Sequence, residues 1–88
     1  MFKIYAIKNC GYCKKAIEEL RIRGMHFLYC PMDGPPNGPA LNVTLEMIKQ
    51  KYDWPTVPII VWVSESSEKF IGGYTDLLEL LNDAESSE

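Results

Sequence analysis

The feature that most constrains this chain is Cys10-Gly11-Tyr12-Cys13, which lies at the junction between an extended apolar run and an amphipathic helical pattern. Residues 2–7, just before it, are mostly β-branched or aromatic and predict a short strand. After it, apolar residues recur at helical spacing, at Cys13, Ala16, Ile17 and Leu20. Both cysteines are therefore predicted to lie in the first turn of a helix.

This placement has a chemical consequence for the two thiols. A helix N-terminus presents backbone N–H groups without a partner in the helix, together with the positive end of the peptide dipole. Both favour the thiolate over the thiol at Cys10, and the thiolate is the nucleophilic form of cysteine. Cys13 stands close enough to attack a mixed disulfide formed at Cys10. The pair is predicted to act as an attacking and a resolving thiol.

The same cysteines also begin a spacing close to that of a small zinc finger, Cys10-x2-Cys13-x12-His26-x3-Cys30. In a finger of that spacing the cysteine knuckle lies in a hairpin, and a later helix carries the last two ligands. Here the helix directly follows the cysteines, and His26 and Cys30 fall in an extended run. This order of elements argues against zinc. We expect His26 at an exposed strand end and Cys30 in buried packing.

Length and charge restrict the class of protein. A chain of 88 residues makes one domain, residues 1–88, and its net charge of −3 gives no basic footprint for nucleic acid. It has no apolar run of membrane-spanning length and no secretory leader pattern. Three cysteines do not make a disulfide scaffold. We therefore expect a soluble protein in a reducing compartment, the cytoplasm, without nucleic-acid or membrane partners.

The first half of the chain reads as a βαβ unit. Gly24 is a natural residue for the end of the first helix, and residues 25–30 form a second extended run. The two strands of such a unit are parallel, with a right-handed crossover. The cysteines then lie at the carboxyl end of the first strand, the edge at which open α/β sheets bind ligands.

A loop rich in proline and glycine follows at residues 31–39. Asn42 or Thr44 is predicted to cap a helix that runs to about Tyr52. Its packing face is formed by Leu45, Ile48 and Tyr52. Its solvated face is formed by Lys49, Gln50 and Lys51, one of which could reach an anionic ligand.

The second half begins with Val57-Pro58, which precedes a predicted buried strand over residues 59–63. Proline has no N–H for the ladder, so it must lie at the strand's start, and we predict a cis peptide bond there that exposes the backbone of Val57. Residues 69–71 complete a hairpin, and Gly72-Gly73 makes a tight exit. A last helix starts at Thr75-Asp76, where both residues could simply serve as a cap and a first-turn acid. The packing face predicted for it consists of Leu77, Leu78, Leu80 and Leu81.

The order strand, Cys-Gly-Tyr-Cys, helix, strand, helix, Thr-Val-Pro, hairpin, Gly-Gly-Tyr-Thr-Asp and helix resembles the glutaredoxin family over nearly the whole chain. The resemblance implies an α/β, thioredoxin-like fold with a four-stranded mixed sheet flanked by three helices, in the order βαβαββα. It also implies a monomeric, glutathione-dependent thiol–disulfide oxidoreductase with Cys10 as nucleophile and Cys13 as resolving thiol. Its partners would be glutathione and disulfide-containing or glutathionylated proteins, ribonucleotide reductase among the candidates.

The resemblance further implies a glutathione site around the cysteines. Tyr12 would pack beside the active sulfur, Val57 would pair its backbone with the cysteinyl part of glutathione, and Asp76 would receive its amino group. The residues expected to bind glutathione are Lys8, Tyr12, Thr56, Val57, Pro58, Gly73, Tyr74, Thr75 and Asp76.

Departures from the family pattern keep two alternatives open. Lys8 stands one residue closer to Cys10 than the family's lysine, Gly11 replaces a common proline, and Ile59 replaces a frequent glutamine. Trp54-Pro55 resembles the monothiol branch that assembles iron–sulfur clusters. Some dithiol relatives without the proline bridge a [2Fe–2S] cluster between two chains through the first cysteine and glutathione, so a cluster held by Cys10, with a role as carrier or sensor, is the alternative reading. A thioredoxin-like donor that does not use glutathione is the other, and the Gly-Gly-Tyr-Thr-Asp segment argues against it.

Overall fold

The computed structural model describes residues 1–33 and 45–86. The elements run in the order β1 (Phe2–Ala6), α1 (Gly11–Ile22), β2 (Phe27–Pro31), α2 (Leu45–Tyr52), β3 (Ile59–Val63), β4 (Glu68–Gly72) and α3 (Tyr74–Ser86). This βαβαββα order and the thioredoxin-like α/β fold confirm the prediction from the resemblance. The predicted caps Asn42 and Thr44, and most of the proline-rich loop, lie outside the described residues. No helix in the described part of the chain is long and apolar enough to span a membrane.

The strands form one mixed sheet in the order β2-β1-β3-β4. β1 and β2 are parallel and joined through α1, as predicted for a βαβ unit, whereas β1–β3 and β3–β4 are antiparallel. The carboxyl ends of β1 and β2 meet in register at Ala6 and Pro31. A hydrogen bond of 2.8 Å from the Met32 N–H to the Ala6 carbonyl extends this pairing. Both chain segments that follow these strands therefore start at the same edge of the sheet.

Each face of the sheet supports its own core, because successive side chains of a strand point to opposite faces. On one face, α1 and α3 cover a cluster of Phe2, Ile4, Ala6, Cys13, Ala16, Leu20, Ile60, Leu77 and Leu81. On the other face, α2 covers a smaller cluster of Tyr5, Cys30, Ile48, Ile59 and Val61. The predicted packing faces of the first two helices are confirmed, since Cys13, Ala16, Leu20 and Ile48 are all buried.

Three packing predictions were wrong in detail. Leu80 is 37% exposed, because α3 packs against the core through Leu77 and Leu81, and Leu80 lies at the margin of that packed face. Trp62 is 39% exposed, although it belongs to an inner strand. It lies opposite Phe2 at the end of the sheet away from the cysteines and contacts the Phe2 ring edge-on at 4.8 Å. Lys49 is half-buried, not solvated like its neighbours.

The backbone conformation after α1 and before β3 agrees with the sequence predictions. Gly24 follows α1 with a φ of +68°, and the Val57–Pro58 peptide bond is cis, as predicted. Gly72 has a φ of +126°, a region that side chains disfavour. The two cores fix the sheet edge at which Cys10, Val57 and the start of α3 converge.

Candidate functional site

Cys10 is the N-cap residue of α1. Its backbone is extended, with φ −110° and ψ 108°, and its sulfur accepts a hydrogen bond from the Cys13 N–H at 3.2 Å. The Cys10 carbonyl accepts the Lys14 N–H at 3.1 Å, which starts the helical ladder. The sulfur thus occupies the place that a Ser or Asp oxygen takes at most N-caps. This confirms that both cysteines lie in the first turn of the helix.

Cys10 and Cys13 form a disulfide, with their Cα atoms 5.2 Å apart. The two sulfurs differ in access, since Cys13 is 2% exposed whereas Cys10 is only partly buried. Cys13 packs into the core under α1 beside Ala16. An external thiol therefore reaches the pair from the Cys10 side.

The loop that delivers Cys10 is fastened to the end of β2. The Lys8 N–H donates a hydrogen bond of 2.8 Å to Oδ2 of Asp33, and Asn9 has a left-handed φ of 56°. The other oxygen of Asp33, Oδ1, is buried and has no hydrogen-bond partner within residues 1–33 and 45–86. The sequence analysis missed Asp33. The signal was its position after β2, because the ends of two parallel strands meet at one edge.

A groove of about 160 Å³ opens beside the cysteines. It is lined by Tyr12, Trp54, Thr56, Val57, Pro58, Gly73, Tyr74, Thr75 and Asp76. The Cys10 sulfur lies 4.0 Å from the Val57 carbonyl oxygen, next to the cis peptide. Every residue expected to bind glutathione, apart from Lys8, therefore lies on one concave surface.

Lys8 is placed differently from the other expected ligands. Its backbone bonds to Asp33 and its side chain is exposed, outside the groove lining. The role of Lys8 toward a ligand stays a prediction.

A second cavity of about 450 Å³ adjoins the groove across Trp54 and includes Lys49 and Gln50 in its wall.

The N-terminus of α3 forms one wall of the groove. Oδ2 of Asp76 accepts the Gly73 N–H at 2.9 Å, and the Leu77 N–H donates to the Gly73 carbonyl at 3.0 Å. This is the carboxylate half of a capping box, which fixes the first turn of the helix. A Cβ on Gly72 would lie 2.5 Å from the same Asp76 oxygen. Asp76 thus serves as a cap, one of the two roles considered for it, while it also lines the groove.

Trp54 also lines the groove, beside the start of α3, and was not among the expected ligands. Its ring contacts Phe70 edge-on at 5.4 Å and would lie 3.6 Å from a Cβ placed on Gly73. Its Nε1 atom is buried and has no hydrogen-bond partner in the described part of the chain. The sequence showed Trp54 only as a family-branch resemblance, since its approach to Gly73 depends on tertiary packing.

The residues of the considered zinc set are not brought together. Among the residues that the structure describes, no three His, Cys, Asp or Glu side chains form a group that could hold a metal. Cys30 is a buried thiol beside Tyr5 in the α2 core, where burial raises its pKa despite the opposing charge of Lys3. For an iron–sulfur cluster, the partly buried Cys10 is the accessible thiol of the pair.

Comparisons with known proteins point to the same family that the sequence resembles. A sequence model of the family described as glutaredoxin matches residues 2–65. The structure of a buckwheat glutaredoxin–glutathione complex matches with a TM-score of 0.73 and 22% identity, over 94% of this chain and 69% of that chain. A wheat glutaredoxin matches with a TM-score of 0.73 and 17% identity, over 96% and 71% of the two chains. Glutaredoxin 1 from Francisella tularensis, complexed with cacodylate, gives 0.64 and 20%, over 97% and 95%. No curated protein matches the sequence.

Proposed function

This chain belongs to the glutaredoxin family and is a thiol–disulfide oxidoreductase with a redox-active Cys10–Cys13 pair, and from that premise we propose that glutathione is its reductant. The observation that carries the proposal is the groove beside the Cys10 sulfur, lined by Val57, by the capped start of α3 and by Tyr12. The structurally similar buckwheat glutaredoxin was solved in complex with glutathione, which supports the same ligand here.

The proposed reaction begins at the reduced protein. The Cys10 thiolate attacks the glutathione sulfur of a glutathionylated substrate, so that a Cys10–glutathione disulfide forms and the substrate leaves as a thiolate that takes up a proton. A second glutathione thiolate then attacks the glutathione sulfur of this mixed disulfide. Oxidised glutathione is released and the Cys10 thiolate is restored. The exposure of Cys10 relative to Cys13 supports this order.

For a protein disulfide, Cys13 takes part. Attack by Cys10 gives a mixed disulfide with the substrate protein, and the Cys13 thiolate then attacks the Cys10 sulfur to release the reduced substrate. The short separation of the two Cα atoms, 5.2 Å, permits this second step without movement of α1. Two glutathione molecules return the Cys10–Cys13 disulfide to the dithiol.

We propose that glutathione lies extended along the groove, from Val57 to the start of α3. The Val57 backbone would pair with its cysteinyl residue, and Thr75, Asp76 and the N–H groups at the start of α3 would receive its γ-glutamyl end. The protein substrates of this oxidoreductase would be glutathionylated or disulfide-containing proteins of the cytoplasm. The glutathione pool of a reducing compartment supplies the electrons that this cycle needs.

The test is the glutathione-dependent reduction of a small glutathione mixed disulfide by wild type, Cys10→Ser and Cys13→Ser. We expect Cys10→Ser to be inactive and Cys13→Ser to remain active, because only Cys10 forms the glutathione adduct. Reduction of a protein disulfide should need both cysteines. Equal rates for wild type and Cys10→Ser would contradict the proposal.

A further inference from the structure

Three lysines lie close to the nucleophile along the chain. Lys8 precedes Cys10 in the β1–α1 loop, and Lys14 and Lys15 follow it in the first turns of α1. All three side chains are exposed. We call them the active-site lysines. They stand on a chain whose net charge is −3, so this positive surface is local.

Unlike Lys51 and Arg23, the active-site lysines have no carboxylate partner among the residues that the structure describes. Lys51 pairs with Glu68 at 3.0 Å, and Arg23 pairs with Glu19 at 2.8 Å. No such ion pair joins Lys8, Lys14 or Lys15 to a carboxylate among the described residues, and the first turn of α1 has no acidic residue.

The nearby carboxylates are committed elsewhere or separated from the active-site lysines. Glu18 follows Lys14 by one helical turn without pairing to it. Asp33 bonds to the backbone of Lys8 and not to its amine, while Asp76, in the groove wall, caps α3. The positive charge beside Cys10 therefore remains available to a partner.

An aromatic side chain links this surface to the groove. Tyr12 is 61% exposed, and the Lys15 amine lies 5.3 Å from its ring centroid, a cation–π distance. The Tyr12 ring also lies 6.2 Å from that of Tyr74 in the groove wall. Tyr12 thus lines the groove and contacts one of the active-site lysines.

We propose that the active-site lysines and Tyr12 form a docking surface for an acidic polypeptide segment that carries the substrate cysteine. This inference rests on the proposed function and adds the class of protein substrate. Asp and Glu side chains next to the substrate cysteine would meet unpaired ammonium groups. Complementary charge of this kind accelerates encounter and is weakened by salt.

The experiment compares two glutathionylated peptides that differ only in the residues around the cysteine, acidic in one and basic in the other. A small glutathione mixed disulfide without a peptide is the third substrate. The variant is Lys14→Gln/Lys15→Gln, and the matched control is Lys69→Gln. Lys69 is an exposed lysine on β4 that lies beside Trp62, at the end of the sheet away from the cysteines.

For wild type at low salt we expect kcat/KM to be roughly tenfold higher on the acidic peptide, with the ratio shrinking as salt is added. Lys14→Gln/Lys15→Gln should lose most of this preference and keep its rate on the small disulfide. Lys69→Gln should behave as wild type on all three substrates.

Two results would overturn the docking surface while leaving the proposed function intact. One is equal kcat/KM on the two peptides for an active wild type. The other is an equal loss on peptides and small disulfide in the double variant, which would assign the lysines to Cys10 or glutathione. A wild type inactive on all three substrates would instead refute the proposed function.

Discussion

At the scale of single residues, Asp33 holds the loop that carries the nucleophile. Its Oδ2 atom accepts the Lys8 N–H at 2.8 Å, two residues before Cys10. A hydrogen bond to a charged group contributes about 1.5–3 kcal/mol when it is shielded from water, and less at an exposed site such as this one. Asp33 contacts neither the sulfurs nor the groove lining, so its role is to position the loop.

We expect Asp33→Ala to lower the free energy of unfolding by about 0.5–1.5 kcal/mol and to reduce kcat/KM for a glutathione mixed disulfide. Asp33→Asn keeps an oxygen that can accept the Lys8 N–H and should recover most of the activity. Urea unfolding of the reduced protein and steady-state kinetics measure the two effects. If Asp33→Asn is as impaired as Asp33→Ala, the carboxylate charge and not the hydrogen bond is what the loop requires.

At the scale of elements, the start of α3 depends on the lack of a side chain at Gly72. A Cβ there would lie 2.5 Å from the Asp76 carboxylate, and the φ of +126° disfavours any other residue. Gly72→Ala should therefore displace Asp76 from the Gly73 N–H. We expect a loss of about 1–3 kcal/mol in unfolding free energy and a higher KM for glutathione.

Gly24→Ala is the matched control for this change. Gly24 also has a positive φ, +68°, but a Cβ there meets nothing within 4 Å and lies at the far end of α1. It should reproduce backbone strain while leaving the KM for glutathione unchanged. An unchanged KM in Gly72→Ala would show that Asp76 placement does not matter for the ligand.

The link between α2 and β4 has a pH dependence. Tyr52 donates a hydrogen bond of 2.6 Å to Glu68, and burial together with this bond raises the pKa of Tyr52 to about 12. The bond from Tyr52, with the charge of Lys51, holds the pKa of Glu68 below its usual value. Because the folded state favours protonated Tyr52, this stabilisation is complete below the ordinary tyrosine pKa of about 10 and disappears as the pH rises toward 12.

Tyr52→Phe should therefore be less stable than wild type near neutral pH, and the gap in urea midpoint should close between about pH 10 and pH 12. Tyr29→Phe serves as control, since Tyr29 is exposed on β2 and has no hydrogen bond to a carboxylate in the described residues. A gap that stays constant with pH would contradict the role of the Tyr52 hydroxyl.

The order of elements was predictable because each depends on local pattern. The strands follow short apolar or aromatic runs, α1 follows the cysteines, and Pro58 sets the start of β3. Trp54 was not predictable as part of the site, since its approach to Gly73 depends on tertiary packing, whereas Asp33 could have been found from its place after β2. Trp62 and Leu80 fit apolar patterns, yet both stay partly exposed, in the lining of one surface cavity.

At the scale of the whole molecule, the core covered by α1 and α3 supports the site at one end only. Cys13 and Leu77 belong to this core, and Val57 and Tyr74 pack against it. Leu81, one turn further along α3, belongs to the same core but lines a cavity with Phe2 and Met25 at the opposite end of the sheet. The two leucines are buried alike, at 0% and 5% exposure, and differ in their distance from Cys10.

Leu77→Ala and Leu81→Ala therefore form a matched pair. Each should lower the free energy of unfolding by about 2–5 kcal/mol through the cavity it creates, a large part of the roughly 5–15 kcal/mol available to a domain. Only Leu77→Ala should also raise the KM for glutathione, because Leu77 anchors the turn that carries Tyr74, Thr75 and Asp76. Kinetics at low temperature, corrected for the folded fraction from urea curves, separate the two effects. Equal KM values in both variants would mean that the groove keeps its shape independently of the core beneath it.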